Sequence, residues 1–221
     1  MKKKVIFSGL DCSGKSTQIE FLKKKLEKNN KVLVFWSRGG YTPGFQKLKD
    51  ILRALSGSKL PSPGNSPSRD KALSNPIIRR VWLSIAMIDL FYYYAIYLRF
   101  KNLIGYNIIC DRYLIDTNID FKLTYPDSKT DKWILWKLIN LFAIKPNYHF
   151  VSTIPVNESV IRSKNKFEPF PDSPETLEKR LVLYKKELKN DKKLIFIDGM
   201  LDVNKIKFYI NNLIFNEKLN N

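Results

Sequence analysis

The stretch Gly9–Ser16, which reads GLDCSGKS, constrains this chain more than any other part of its sequence. It matches in full the phosphate-binding pattern of two glycines separated by four residues, followed by a lysine and a hydroxyl residue. The apolar run Lys4–Ser8 precedes it, and helical periodicity begins at Thr17. In that context, backbone N–H groups and a helix N-terminus converge on one place and can bind phosphate oxygens. The sequence therefore predicts a site for a nucleoside triphosphate.

Two side chains of this loop carry the expected chemistry. Lys15 would reach the β- and γ-phosphates of ATP, and the Ser16 hydroxyl would bind Mg²⁺. ATP and Mg²⁺ are therefore the predicted cofactors. The residues predicted to bind them from this loop are Gly9, Cys12, Ser13, Gly14, Lys15, Ser16 and Thr17.

Strands alternate with helices along the whole chain. The predicted strands span residues 4–8, 31–36, 107–111, 147–153 and 193–197. This alternation predicts an α/β fold with a five-stranded parallel sheet covered by helices on both faces. A length of 221 residues suits a single domain over residues 1–221. Residues 56–76, which are rich in serine, proline and glycine, are predicted to form a long loop within that domain.

Composition limits the partners and the compartment. The formal net charge is +18, but the lysines are spread over most of the chain. We therefore expect solvated basic faces and a phosphate-bearing small molecule, and a nucleic-acid partner is not favoured. Cys12 and Cys110 do not form a disulfide framework, which suits a reducing cytoplasm. The chain enters its first strand too early for a signal peptide, so a cytoplasmic protein is expected.

The segment Val81–Leu98 is apolar over nearly the length of a membrane span. Asp89 lies near its middle, where a charge is expensive in lipid. The sequence therefore predicts a buried core helix here and no membrane association.

Polar residues also follow the second and third predicted strands. Arg38 precedes a glycine-rich turn, and Asp111 and Arg112 close the third strand. Ligands of open parallel sheets bind beyond these carboxyl ends. A carboxylate there can hold Mg²⁺ through water, and an arginine can bind a phosphate with two hydrogen bonds. His149 lies inside a strand and is predicted to be a packed core residue.

Four motifs together resemble one family. They are Gly9–Thr17, Ser37–Pro43, Asp111-Arg112-Tyr113 and Ile195–Gly199. On these motifs the chain resembles, over nearly its whole length, the thymidylate kinase family of nucleoside monophosphate kinases. The resemblance implies a P-loop NTPase fold with a short basic lid at about 160–173. It also implies ATP-dependent phosphoryl transfer from ATP to dTMP, and a homodimer.

The resemblance implies roles for individual residues. Lys15, Arg112 and Arg162 would be catalytic, with Arg162 in the position of the family's lid. Ser16 and Asp111 would hold the metal. The residues predicted to bind the acceptor are Asp11, Arg38, Arg112, Tyr113 and Asp116.

The sequence also departs from the family pattern. The arginine that the family has near Asp89 is missing, and no Tyr-Gln pair follows Tyr113. Asp116 and Asp120 stand four residues apart and would share one helix face. They would suit a hydroxyl-rich or cationic acceptor, or else Asp116 caps a helix and Asp120 is solvated.

Two other functions stay open at this point. One is a kinase of the same fold that acts on a nucleoside, a sugar or another small hydroxylated molecule. The other is a nucleotide-binding module without catalysis. Arg38 and Arg112 favour an acceptor that already carries a phosphate, because such an acceptor is ionised and needs no general base.

Overall fold

The computed structural model describes residues 2–37, 73–167 and 171–215. The residues of the predictions for Arg38 and for most of the 56–76 loop lie outside these ranges. The described chain forms one parallel sheet in the order β2-β3-β1-β4-β5. Its strands are β1 (Lys4–Gly9), β2 (Val32–Trp36), β3 (Asn107–Asp111), β4 (Tyr148–Thr153) and β5 (Leu194–Asp198).

Helices cover both faces of the sheet. They are α1 (Lys15–Glu27), α2 (Pro76–Phe91), α3 (Leu98–Leu103), α4 (Leu114–Thr124), α5 (Ile134–Phe142), α6 (Val156–Asn165), α7 (Pro174–Asn190) and α8 (Val203–Phe215). A π-helical segment, Tyr92–Tyr97, joins α2 to α3. The predicted α/β fold with a five-stranded parallel sheet is confirmed.

Alternation along the strands divides the core between the two faces. Val5 and Phe7 face α1 and α8, where they pack with Ile19, Leu22, Ile206 and Ile210. Ile6 points to the opposite face and packs with side chains of α2 and α5. A third cluster joins β4 to α4 and α7. The sheet is therefore buried on both sides, and its carboxyl edge is left for a site.

The long apolar helix lies on one of these faces. Residues Pro76–Leu103 are long and apolar enough to cross a membrane, since they contain an 18-residue window with a mean hydropathy of 1.5. Leu83, Met87 and Leu90 are nonetheless buried against the sheet, which confirms the predicted core helix for that face. The opposite face exposes apolar side chains such as Ile88.

The register aligns the carboxyl ends of the three central strands. Phe7 pairs with Asp111 on β3, and Gly9 pairs with Ser152 on β4. The end of β1 is therefore flanked by the polar residues that follow β3 and by those that end β4.

Candidate active site

The phosphate loop turns sharply where β1 ends. Gly9 and Gly14 have φ angles of 129° and 89°, which side-chain-bearing residues rarely adopt. A Cβ at Gly9 would lie 1.9 Å from the carbonyl oxygen of Ser152. Glycine is therefore required at position 9 by backbone strain and by the close approach of β4.

The carbonyl groups of five consecutive loop residues, 9 to 13, all accept hydrogen bonds from side chains. Lys15 Nζ donates to the Gly9 carbonyl at 3.1 Å and also to the Leu10 carbonyl. The other donors are Ser159 Oγ to Asp11 at 2.9 Å, Arg162 Nη1 to Cys12 at 3.4 Å, and Ser152 Oγ to Ser13 at 2.8 Å. Three of these donors lie on β4 and α6, so those two elements fix the loop from outside.

The N-terminus of α1 completes the loop. Gly14 is the N-cap and supplies no side-chain acceptor, and the first turn contains no acidic residue. Ser16 and Thr17, both predicted to bind the nucleotide, are exposed at this end of the helix. The partial positive charge of the helix N-terminus is therefore not compensated by a side chain of α1 and can attract an anion.

Lys15 is enclosed by the loop, with an exposed fraction of 7%. Burial, assisted by the neighbouring Arg112 cation, lowers the pKa of its ammonium group to about 8. Carbonyl oxygens are weaker partners for an ammonium group than phosphate oxygens are. The Lys15 ammonium group is thus held beside the loop, where a bound phosphate can replace the carbonyls as its partner.

Asp111 lies half-buried at the end of β3. Burial raises the pKa of its carboxyl group, against the opposing effect of Lys15. In residues 2–37, 73–167 and 171–215, no group of three or more histidine, cysteine or acidic side chains could hold a metal. One carboxylate and one serine hydroxyl still fit Mg²⁺, which takes its remaining ligands from phosphates and water.

Arg112 lies directly against the loop. Its φ is 72°, and its backbone N–H donates to the Phe7 carbonyl at 2.8 Å. The guanidinium pairs with Asp11, and Nη1 lies 3.4 Å from the Gly9 carbonyl and 3.6 Å from Asp116 Oδ1. Burial opposes its charge, yet Asp11 and further groups outweigh burial and raise its pKa above the ordinary value. The structure thus brings Asp11 and Arg112 together beside the phosphate loop.

Asp116 is enclosed by protein donors, and its exposed fraction is 0%. These are Ser8 Oγ at 2.5 Å, the Gly9 N–H at 3.3 Å, the Tyr113 N–H at 2.9 Å and the Tyr184 hydroxyl at 2.7 Å. The N-cap of α4 is Tyr113 and not Asp116, so the predicted position of the cap is corrected. Asp116 takes part as the third helical residue, whose carboxylate accepts from the N-cap N–H. An acceptor could not reach Asp116 as predicted in this structure, because protein donors surround the carboxylate.

His149 joins this cluster through Ser8. Its Nε2 lies 2.8 Å from Ser8 Oγ, and burial lowers the pKa of the imidazole to about 4. Because Ser8 donates to Asp116, the neutral ring donates its Nε2–H to Ser8. The prediction of a packed core histidine is confirmed, with a hydrogen-bonding role in addition.

Asp120 forms a buried ion pair that sequence reasoning missed. Arg180 on α7 bonds to Asp120 on α4 and, through Nε, to Asp172 Oδ2 at 2.7 Å. Asp120 is therefore not solvated. A signal was present: Arg180 and Tyr184 are four residues apart on α7, as Asp116 and Asp120 are on α4. Each carboxylate of α4 meets one of these two partners.

The remaining predicted residues are placed differently from one another. The Tyr113 hydroxyl donates to the Ile144 carbonyl at 2.8 Å and so points into the core rather than toward the loop. Arg162 bonds to Glu158 at 2.7 Å and to the carbonyls of Cys12 and Gly199. Arg162 therefore bridges the phosphate loop and the turn after β5. Residues 168–170 of the predicted lid lie outside the described chain.

Comparison with solved structures identifies the class of fold. A thymidylate kinase from Ehrlichia chaffeensis aligns with a TM-score of 0.53 and 19% sequence identity, covering 96% of this chain and 98% of that chain. At this identity the likeness shows the fold alone. The chain has a thymidylate kinase-like P-loop NTPase fold. No protein-family model matches the sequence, and no curated protein matches it.

Proposed function

We propose that this protein transfers the γ-phosphoryl group of ATP to a nucleoside monophosphate, with dTMP as the favoured acceptor. The observation that carries the proposal is the phosphate loop, in which all five carbonyls from Gly9 to Ser13 are bonded to side-chain donors. Fixing the carbonyls in this way presents the opposite side of the loop to an anion. A site organised before the reaction is what phosphoryl transfer requires of a protein.

The donor half of the reaction would be served by Lys15, Ser16 and Asp111. Lys15 would move from the loop carbonyls to the phosphates. Ser16 and Asp111 would hold Mg²⁺, which when bound supplies positive charge to the phosphate oxygens. The remaining loop residues would contribute backbone N–H groups.

The acceptor half depends on Arg112 and Asp11. A phosphate is a stronger partner for a guanidinium than a single carboxylate oxygen, so it can compete with Asp11 for Arg112. Asp11 and Asp120 are each paired with an arginine, and Asp116 is bonded to four donors. A carboxylate ready to deprotonate a hydroxyl is therefore lacking among these three, which favours a phosphate acceptor. Arg38 would add a second cation on that side.

Arg162 would neutralise charge on the transferring group. In this structure it already contacts the carbonyl of Cys12 at the outer side of the loop. Rotation away from Glu158 would bring its guanidinium toward a bound phosphate, the motion expected of a lid residue.

One observation favours a second candidate, an acceptor other than dTMP. After Tyr113, where the family has a Tyr-Gln pair to read thymine, this chain reads Leu114–Phe121. This stretch includes Asp120, whose carboxylate is buried in an ion pair with Arg180. The described residues of α4 contain a single amide side chain, Asn118, and no Tyr-Gln pair. A hydroxylated nucleoside or sugar phosphate then becomes the alternative acceptor.

We also propose that two copies associate through the outer face of α2. Val81, Ile88 and Ile96 are more than half exposed along one side of this helical region. An exposed apolar patch of this kind favours association with a second protein surface. Sedimentation of the Ile88→Glu variant tests the idea, because a dimer should dissociate and a monomer should be unaffected.

The function is tested by measuring ADP formation from Mg-ATP with one candidate acceptor at a time. We expect turnover with dTMP, and Lys15→Met should lower it on the order of a hundredfold to a thousandfold. Lys186→Met, which removes the same charge from the exposed side of α7, should leave it unchanged. Turnover with a nucleoside or sugar phosphate alone would replace dTMP by that acceptor. ATP binding without turnover in any well would overturn the proposal of catalysis.

A further inference from the structure

A groove lies between α8 and the C-terminal half of α1, including the residues that directly follow α1. Its volume is about 740 Å³, within the range of pockets that hold small ligands. Lys3, just before β1, reaches the Ile214 carbonyl at 2.6 Å beside it. Because α1 has 13 residues, this groove is about 20 Å from the phosphate loop along that helix.

The groove is strongly basic. The lysines that line it are Lys24, Lys25, Lys28 and Lys207. No carboxylate is among the described residues of its lining. Glu20 offsets only Lys24, at 3.5 Å. The C-termini of α1 and α8 each add about half a negative charge, so a positive excess remains.

Aromatic rings alternate with these cations. Lys25 Nζ lies 4.5 Å from the centre of the Phe215 ring, and Lys207 Nζ lies 5.7 Å from that of Phe21. Lys25 also bonds to the Asn211 amide. Phe208, in the same lining, is 48% exposed. An exposed phenyl ring among lysines offers a stacking surface beside a phosphate-binding one.

We propose that this groove binds a nucleoside phosphate, either as a free nucleotide or as part of a single strand. The base would stack on Phe208, and Lys28 and Lys207 would contact phosphates. Asn29, Asn30 and Asn211 place amide groups on the same lining, where they can bond to base edges. Lys24, Lys25 and Lys28 are already close in the sequence, and the packing of α1 against α8 adds Lys207 and the exposed ring of Phe208.

The test is fluorescence anisotropy with a short fluorescein-labelled oligothymidylate, using the whole protein at several salt concentrations. We expect Lys28→Ala/Lys207→Ala to weaken binding about tenfold and to flatten the salt dependence by about 1.4 in log–log slope, the value for two phosphates of a single strand. Phe208→Ala should weaken binding about fivefold or more. Neither variant touches the phosphate loop, so these results are independent of the proposed kinase activity.

The matched control is Lys185→Ala/Lys186→Ala, which removes the same charge from exposed positions on α7. It should change the affinity by less than about twofold, since distant surface charges are screened. Displacement of the oligonucleotide by AMP identifies the free nucleotide as a ligand, and binding that AMP does not displace identifies the strand. An equal loss in both double variants, or no loss with Phe208→Ala, overturns the proposal.

Discussion

The phosphate loop and the α1–α8 groove are both suited to anions, yet they are built in opposite ways. At the loop, Lys15 and Arg112 are buried, and their charges are met by carbonyls and carboxylates before any ligand arrives. At the groove, Lys28 is exposed and Phe208 is half exposed. The two sites lie at opposite ends of α1.

This difference has an energetic consequence. A buried cation acts in a medium of low effective dielectric constant, so its interaction with a phosphate is strong and little affected by salt. An exposed lysine gains less from each contact and loses it at high ionic strength. The loop is therefore suited to holding phosphates in one geometry, and the groove to weaker, adaptable binding.

The largest expected effect is that of Lys15→Met. Turnover should fall on the order of a hundredfold to a thousandfold, because a preorganised cation at the transferring phosphate is lost. Steady-state kinetics with the best acceptor measure this change. A loss of the same size in Lys186→Met, on the exposed side of α7, would show that the effect is not specific to the phosphate loop.

Asp116→Asn should have the next largest effect. The variant replaces a buried carboxylate, which accepts hydrogen bonds from Ser8, Gly9 and Tyr184, by a neutral amide. The free energy of unfolding should therefore fall by about 3 kcal/mol. Urea unfolding measures it. Affinity for ATP should also fall, because the Gly9 N–H loses its charged acceptor.

Two variants distinguish the effect of Asp116 on the position of the phosphate loop from its effect on the stability of the whole protein. Tyr184→Phe removes one donor to Asp116 and should cost about 1 kcal/mol. Asp120→Asn breaks the pair with Arg180 and should lower stability without changing ATP affinity. Equal losses of ATP affinity in the Asp116 and Asp120 variants would contradict a specific role for Asp116 at the loop.

Arg162→Ala should lower kcat about tenfold and change the affinity for ATP less, since charge neutralisation on the transferring group matters in the transition state. Lys164→Ala, on the exposed side of the same helix, is the matched control. If only the affinity for ATP falls, Arg162 supports the loop through the Cys12 carbonyl and does not take part in the reaction.

The smallest effect concerns pH. The pKa of Lys15 is lowered to about 8, so the ammonium form that a phosphate needs is lost as pH rises through that value. The affinity for ATP should fall about twofold from pH 7 to pH 8, with uptake of about half a proton on binding at pH 8. Calorimetry in buffers of different ionisation enthalpy measures the uptake, and Lys15→Met should abolish it.

Local rules predicted much of this molecule. The spacing of Gly9, Gly14 and Lys15 indicated the loop, because its backbone geometry needs glycine at fixed positions. The alternation of apolar strands and amphipathic helices indicated the parallel sheet. Local rules also account for the start of α7, where the side chain of Ser173 caps the helix by accepting from the Thr176 N–H.

The contacts that the sequence did not reveal join elements that are distant in the chain. Asp116 meets Tyr184, and Asp120 meets Arg180, across 68 and 60 residues. Spacing placed both carboxylates on one face of α4 but could not say that α7 would cover that face. The Tyr113 hydroxyl likewise donates to the Ile144 carbonyl, a contact that no local sequence pattern predicts.

The sequence by itself determined the phosphate loop, the fold class and the order of strands and helices, because these follow from backbone geometry and short-range periodicity. Only the tertiary structure decided which charged groups are buried and paired and which remain open. Arg112 and Asp116 are enclosed where three strands end together, and Lys28 and Lys207 lie along the groove between α1 and α8. Packing sets the solvation of each charge, and solvation decides what that charge can do.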